Sequence, residues 1–102
     1  MSKCKITVLK RLINTDLAKE YLDITGDFRA CERFYDGQEI IVKRHSEIPE
    51  GFCPWAWADI RRDIKTIAAG GNLPWVKPQG TAIAGCTDWF RPVIFKIERI
   101  ED

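Results

Sequence analysis

Cys53-Pro54-Trp55-Ala56-Trp57 opens the segment on which the reading of the fold turns. Proline is favourable just inside a helix start, where its missing N–H would have had no intrahelical partner. Beyond Pro54, the apolar residues Trp57, Ile60, Ile64, Ile67 and Ala68 recur at helical spacing, while Asp59, Arg62, Asp63 and Thr66 mostly face water. The spacing predicts a helix from Pro54 to about Ala69. Gly70-Gly71-Asn72 ends it, because glycine takes the left-handed C′ conformation cheaply. One apolar stripe needs one partner surface, and the flanking segments read as strands.

Upstream, Lys5 to Arg11 alternates, with Cys4, Ile6 and Val8 on one face and Lys5, Thr7, Leu9 and Arg11 on the other. Asn14-Thr15-Asp16 offers N-cap candidates, and Leu17, Tyr21 and Ile24 sit at helical spacing, so a short helix is expected through about Leu22. Gly26 to Asp36 has no clean period and reads as a loop carrying Cys31. Asp36-Gly37 signals a turn into a β-branched strand, Glu39 to Lys43. Downstream of the main helix, Leu73-Pro74-Trp75 and Lys77-Pro78-Gln79-Gly80 form a rigid connection. Thr81 to Cys86 reads as a strand, Thr87-Asp88-Trp89-Phe90 as a turn, and Pro92 to Ile100 as the longest strand. The order β-α-β-α-β-β predicts an α+β fold, a mainly antiparallel sheet of about four strands with the long helix on one face.

The 102 residues make one domain of ordinary composition, 45% apolar and 30% charged. A formal charge of +1 argues against nucleic acid or an anionic membrane as partner, since both call for a basic surplus. No apolar run approaches the roughly 20 residues that span a bilayer. The N-terminus moves directly into an alternating pattern rather than a signal peptide, which implies the cytoplasm and reduced thiols.

Chemistry is sought first at Cys53, the expected N-cap, where Ser, Thr, Asp or Asn is usual. Unpaired N–H groups and the positive end of the helix dipole there favour a thiolate over a thiol. Cys31, Cys53 and Cys86 all fall in loops or at element edges. With His45 or Asp88 they could complete a zinc shell, and thiolates also hold iron–sulfur clusters or haem. No Cys-x-x-Cys pair supports this, and buried cysteines equally act as small hydrophobes, the simplest reading for Cys4. Alternatively Cys53 is a reactive thiol oriented by His45, the only histidine. Trp55, Trp75 and Trp89 are candidates to line a pocket or an interface. The four tryptophans, with Phe52 and Phe90, would cluster if the helix start meets the last turn. Arg91 either pairs with Asp88 or offers a fork to an anionic ligand. Arg61, Arg62 and Lys65 form a modest basic patch interleaved with Asp59 and Asp63.

Three blocks carry a resemblance: Pro49 to Trp57, Gly70 to Trp75 and Arg91 to Arg99. In these the chain resembles an uncharacterised family of short bacterial and archaeal proteins marked by Gly-Phe-Cys-Pro-Trp-Ala-Trp and Arg-Pro-Val-Ile-Phe-Lys-Ile-Glu-Arg. The likeness also takes in Lys5 to Lys10 and Gly37 to Val42. It implies cysteines matching Cys31, Cys53 and Cys86 and carries no activity. The chain departs from it at Asp88-Trp89-Phe90, where similar proteins often have Asp-Gly. The leading expectation is therefore a cysteine-centred site, binding a metal or acting through a Cys53 thiolate. The alternative is a non-enzymatic module that self-associates or binds a partner through exposed tryptophans.

Overall fold

Alternation along the strands is resolved into one antiparallel sheet in the order β2-β1-β4-β3. The computed structural model describes residues 2–23 and 26–100. Its elements are β1 (Lys3–Arg11), α1 (Thr15–Tyr21), β2 (Glu39–Val42), α2 (Pro54–Ala68), β3 (Thr81–Gly85) and β4 (Val93–Ile100), an α+β fold in the predicted order. β1 and β4 are central, with Ile6 opposite Ile97 and Val8 opposite Phe95. Cys4, Ile6 and Val8 of β1, Val42 of β2, Ala82 of β3 and Val93, Phe95 and Ile97 of β4 are all buried on the face beneath α2. The opposite face carries charge pairs, Lys5 of β1 to Glu39 of β2 at 3.3 Å and Lys96 to Glu98 along β4 at 3.3 Å. No helix among the described residues is long and apolar enough to cross a membrane.

α2 covers the sheet with Ala56, Trp57, Ile60, Ile64, Ile67 and Ala68, all buried. Each of its fully buried isoleucines contributes roughly 1.5–3 kcal/mol by leaving water. The helix ends one residue before the predicted Ala69, in a Schellman motif. Gly70 N–H donates to Ile67 O at 3.1 Å and Gly71 N–H to Thr66 O at 2.9 Å, with Gly70 at φ +96. Arg99 of β4 completes this cap. Its Nη1 donates to the carbonyls of Ile67 and Gly71, both at 2.9 Å, and its Nη2 to Asn72 Oδ1 at 3.1 Å. Asn72 Oδ1 also accepts from Gly80 N–H at 2.7 Å, which ties the Pro-rich connection to the helix end. One guanidinium thus fastens the C-terminus of α2 to the central strand.

Three expectations need correction. The alternation of β1 does not continue to Arg11, because a bulge falls between Val8 and Lys10. A bulge inserts one residue and shifts those after it to the opposite face. Arg11 consequently pairs with core-facing Val93 rather than joining Thr7 on the open face. Its guanidinium reaches Cys31 O at 3.0 Å, Phe34 O at 3.2 Å and Asp36 Oδ1 at 3.0 Å. β1, at nine residues, is longer than β4, at eight. In α1, Leu17 and Tyr21 remain exposed and Ala18 alone is buried, so no apolar stripe forms there. Ile24, read as part of that helical spacing, lies outside the described residues. Asn14 does flank the helix, but its side chain donates to Trp89 O instead of capping.

Arg99→Lys retains the charge and loses the fork, so it should lower stability by about 1–2 kcal/mol in urea unfolding. Unchanged stability would mean that the Ile67 and Gly71 carbonyls are satisfied without it. A second expectation concerns Cys4, whose thiol donates to Ile64 O at 3.7 Å. Burial pushes this thiol above its ordinary value of 9.0, opposed by the Arg99 charge. The unfolded chain therefore gives up the Cys4 proton at a lower pH than the folded chain. That contribution to stability is complete below the ordinary value and is lost as pH rises through the folded one. Urea midpoints should fall more steeply with alkaline pH for the wild type than for Cys4→Ala. Parallel slopes would contradict this.

Candidate functional site: a thiol-lined cavity at the start of α2

Cys53 occupies the N-cap of α2 at φ −64 and ψ 121, as its place before Pro54 predicts. Its carbonyl accepts the first helical hydrogen bond, from Trp57 N–H at 2.9 Å. No side chain caps the helix, so the free N–H groups of its first turn are left without a side-chain partner. Phe52, one residue earlier, is buried against Phe34 and Phe95, with centroids 5.2 and 6.0 Å apart between Phe34–Phe52 and Phe52–Phe95. Trp57 closes this aromatic group, edge-on to Phe52 at 6.0 Å. The rings hold the loops before β2 and before α2 onto the sheet. They also replace the expected cluster. Trp57 alone of the tryptophans packs there, whereas Trp55, Trp75 and Trp89 are 61%, 78% and 67% exposed.

The turn between β3 and β4 brings the other site residues to the same place. Cys86 closes the strand pair, its N–H donating to Val93 O at 3.1 Å and its Sγ accepting from Val93 N–H at 3.3 Å. Asp88 Oδ1 accepts from the N–H groups of Phe90 and Arg91 at 3.2 and 3.3 Å, an Asx-type turn. Its other oxygen lies 3.4 Å from Arg91 Nε. Arg91 also stacks over the Phe28 ring, 5.4 Å from its centroid. The loop carrying Cys31 is fixed by Arg11 through the carbonyls of Cys31 and Phe34.

These elements enclose a cavity of about 200 Å³. Cys31, Cys53 and Cys86 line it together with Asp88, Arg91 and Trp55, over apolar walls from Phe34 and Ala56; Arg33 adds a second guanidinium. All four cysteines are free thiols, and Cys4 is buried away from the cavity. Trp55 is held at the rim by a relay. Its Nε1–H donates to Thr87 Oγ1 at 2.7 Å, and the Thr87 hydroxyl and amide donate to Asp59 Oδ2 at 3.0 and 2.7 Å. Asp59, expected to face water, instead anchors the turn to the helix.

The remaining candidates lie elsewhere. His45 borders shallow hollows beside Lys43 and Arg44 and beside Arg61, Arg62 and Lys65, and it does not line the Cys53 cavity. Trp75 stands in the Pro-rich connection, and Trp89 adjoins Ile83 and Ile94 in a separate hollow of about 340 Å³. Among the described residues, no group of three or more His, Cys, Asp or Glu side chains could hold a metal ion. The expected shell of Cys31, Cys53, Cys86 and Asp88 is thus not formed. Cys86 already accepts a backbone hydrogen bond and Asp88 is committed to its turn and to Arg91. Sequence reading missed Arg33, Phe34, Thr87 and Arg11. The first two sit in an aperiodic loop, and the roles of the others depend on contacts distant in sequence.

Asp59→Ala removes the acceptor of two hydrogen bonds from Thr87, so the Thr87 amide should exchange faster with solvent and stability should fall by about 1–3 kcal/mol. Unaltered exchange at Thr87 would show that the turn is held by other contacts. Comparison of the chain with protein-family models, with curated proteins and with solved structures gave no match.

Proposed function

We propose that the cavity at the start of α2 is a small-ligand site that works through the Cys53 thiol. The observation that carries this reading is the convergence of Cys31, Cys53 and Cys86 on one cavity with Arg33 and Arg91. A nucleophilic thiolate needs partial exposure and nearby positive charge. Cys53 is half-buried, ahead of a helix start without a side-chain cap. The two guanidinium groups favour a ligand with a carboxylate or phosphate, which Arg91 can meet with its fork. Cys53 is the nucleophile in this account, Arg33 and Arg91 orient the anionic group, and Trp55 covers the mouth. A reduced cytoplasm would keep such a site in its thiol form. The family resemblance enters only through its cysteines at the same three positions.

A second reading is supported by the tryptophans. Trp75 and Trp89 are mostly exposed, and Trp89 stands beside exposed Ile83 at the β3 edge of the sheet. Exposed tryptophans are costly unless they meet a partner or a second copy of the chain. Light scattering across a range of concentrations decides this reading. A monomer at every concentration removes self-association.

Iodoacetamide at neutral pH followed by peptide mapping tests the first reading. Cys53 should be alkylated fastest and Cys4 slowest. Cys53→Ser should fold with stability within about 1 kcal/mol of the wild type, since serine is a good N-cap. If Cys53 reacts no faster than Cys31 and Cys86, the thiolate reading fails. Metal found bound in the purified protein, and lost in Cys53→Ser, would replace it with the metal reading.

A further inference from the structure

α2 carries a second polar feature, remote from the cysteines. Ala58, Arg61, Arg62 and Lys65 follow the i, i+3, i+4, i+7 spacing that places residues on one helix face. Together with His45 from the preceding loop they line a hollow of about 410 Å³, and no carboxylate lines it among the described residues. Ala58, the smallest of the five, leaves the floor open. The neighbouring hollow continues the positive band through Lys43 and Arg44, with His45 shared by both.

On the helix itself these charges have no acidic partner among the described residues. Asp59 is the acidic residue three positions from Arg62, but its Oδ2 accepts both hydrogen bonds from Thr87. In the adjoining loop Glu47 is 3.4 Å from Arg44 Nη1. The side chains of Arg61, Arg62 and Lys65 have no ion pair or hydrogen bond among the described residues. Arg61 with Lys65 and Arg62 with Lys65 are like-charge neighbours on the helix, an arrangement that destabilises it until an anion intervenes. Asp63, the other acidic residue interleaved here, lines neither hollow and makes no ion pair with these cations among the described residues.

We propose that this face binds a soluble ligand bearing a diphosphate or similarly multiply charged phosphate group. The span from Ala58 to Lys65 is about 10 Å at the helical rise, which suits a compact anion bridging several cations. A membrane headgroup fits less well, because an interfacial helix presents an apolar face beside its cations. The apolar face of α2 is turned into the core. A nucleic-acid backbone calls for a wider basic surplus than a net charge of +1 provides.

Isothermal titration of the intact protein with inorganic pyrophosphate at low salt tests this. Binding should be measurable and should weaken as salt screens these exposed charges. Arg62→Gln should weaken it about tenfold, the loss of one charge-assisted hydrogen bond, and Arg61→Gln/Lys65→Gln further still. Glutamine suits a helix, and unchanged thermal unfolding would confirm that these variants fold. Arg91→Gln, at the separate thiol cavity, should leave intact the binding that the Arg61, Arg62 and Lys65 variants lose. The proposal is overturned if pyrophosphate does not bind, if the Arg61, Arg62 and Lys65 variants bind it equally well, or if Arg91→Gln abolishes binding. It is likewise overturned if the protein binds phosphatidylserine vesicles or a single-stranded oligonucleotide while pyrophosphate neither binds nor displaces them.

Discussion

One stripe of α2 is buried against one face of the sheet, and this contact makes the core. Cys4, Ile6, Val8, Phe95 and Ile97 would lie on an open apolar surface without Ile60, Ile64 and Ile67 above them. The other face of the sheet, with its Lys5–Glu39 and Lys96–Glu98 pairs, tolerates water and needs no cover. Burial sets how deep α2 lies, but apolar contact is non-directional. Direction comes from polar contacts at the two ends. Arg99 grips the carbonyl end, while Asp59 and Trp55 grip the turn between β3 and β4 near the amino end.

That double fastening links fold to chemistry. Cys53 owes its position to the helix start, Cys86 to the end of β3, and Cys31 to a loop held by Arg11 after the bulge in β1. These elements are far apart in the chain, and the aromatic contacts among Phe34, Phe52 and Phe95 close the gap between them. The same helix therefore serves three surfaces. Its apolar stripe builds the core, its first turn borders the thiol cavity, and its exposed face displays Arg61, Arg62 and Lys65, which have no ion pair among the described residues.

Much of the fold was legible because its signals are local. Pro54 and Gly70 bracket α2, and alternation marks β1 as far as Val8 and most of β4. The bulge at Leu9 was not legible, because a single inserted residue leaves no compositional trace, and it reversed the expected side of Arg11. For the cavity, sequence reading identified Cys31, Cys53, Cys86, Asp88, Arg91 and Trp55, since cysteine beside Pro-started helices and turns is chemically conspicuous. It could not identify Arg33 and Phe34, whose loop has no period, nor foresee that Thr87 would occupy Asp59. Their roles arise from contacts between distant segments. The metal shell failed for a related reason: sequence supplies ligand types, whereas hydrogen bonds from Val93 and Arg91 decide how those ligands are used.

Cysteines distant in sequence share one cavity around Cys53. Dibromobimane reads this proximity, because it becomes fluorescent only after two thiols have each displaced a bromide. The wild type should give a fluorescent product whose bridge maps to Cys53 with Cys31 or Cys86, and Cys53→Ser should give none. Single-thiol adducts alone, or a bridge that forms without Cys53, would contradict it.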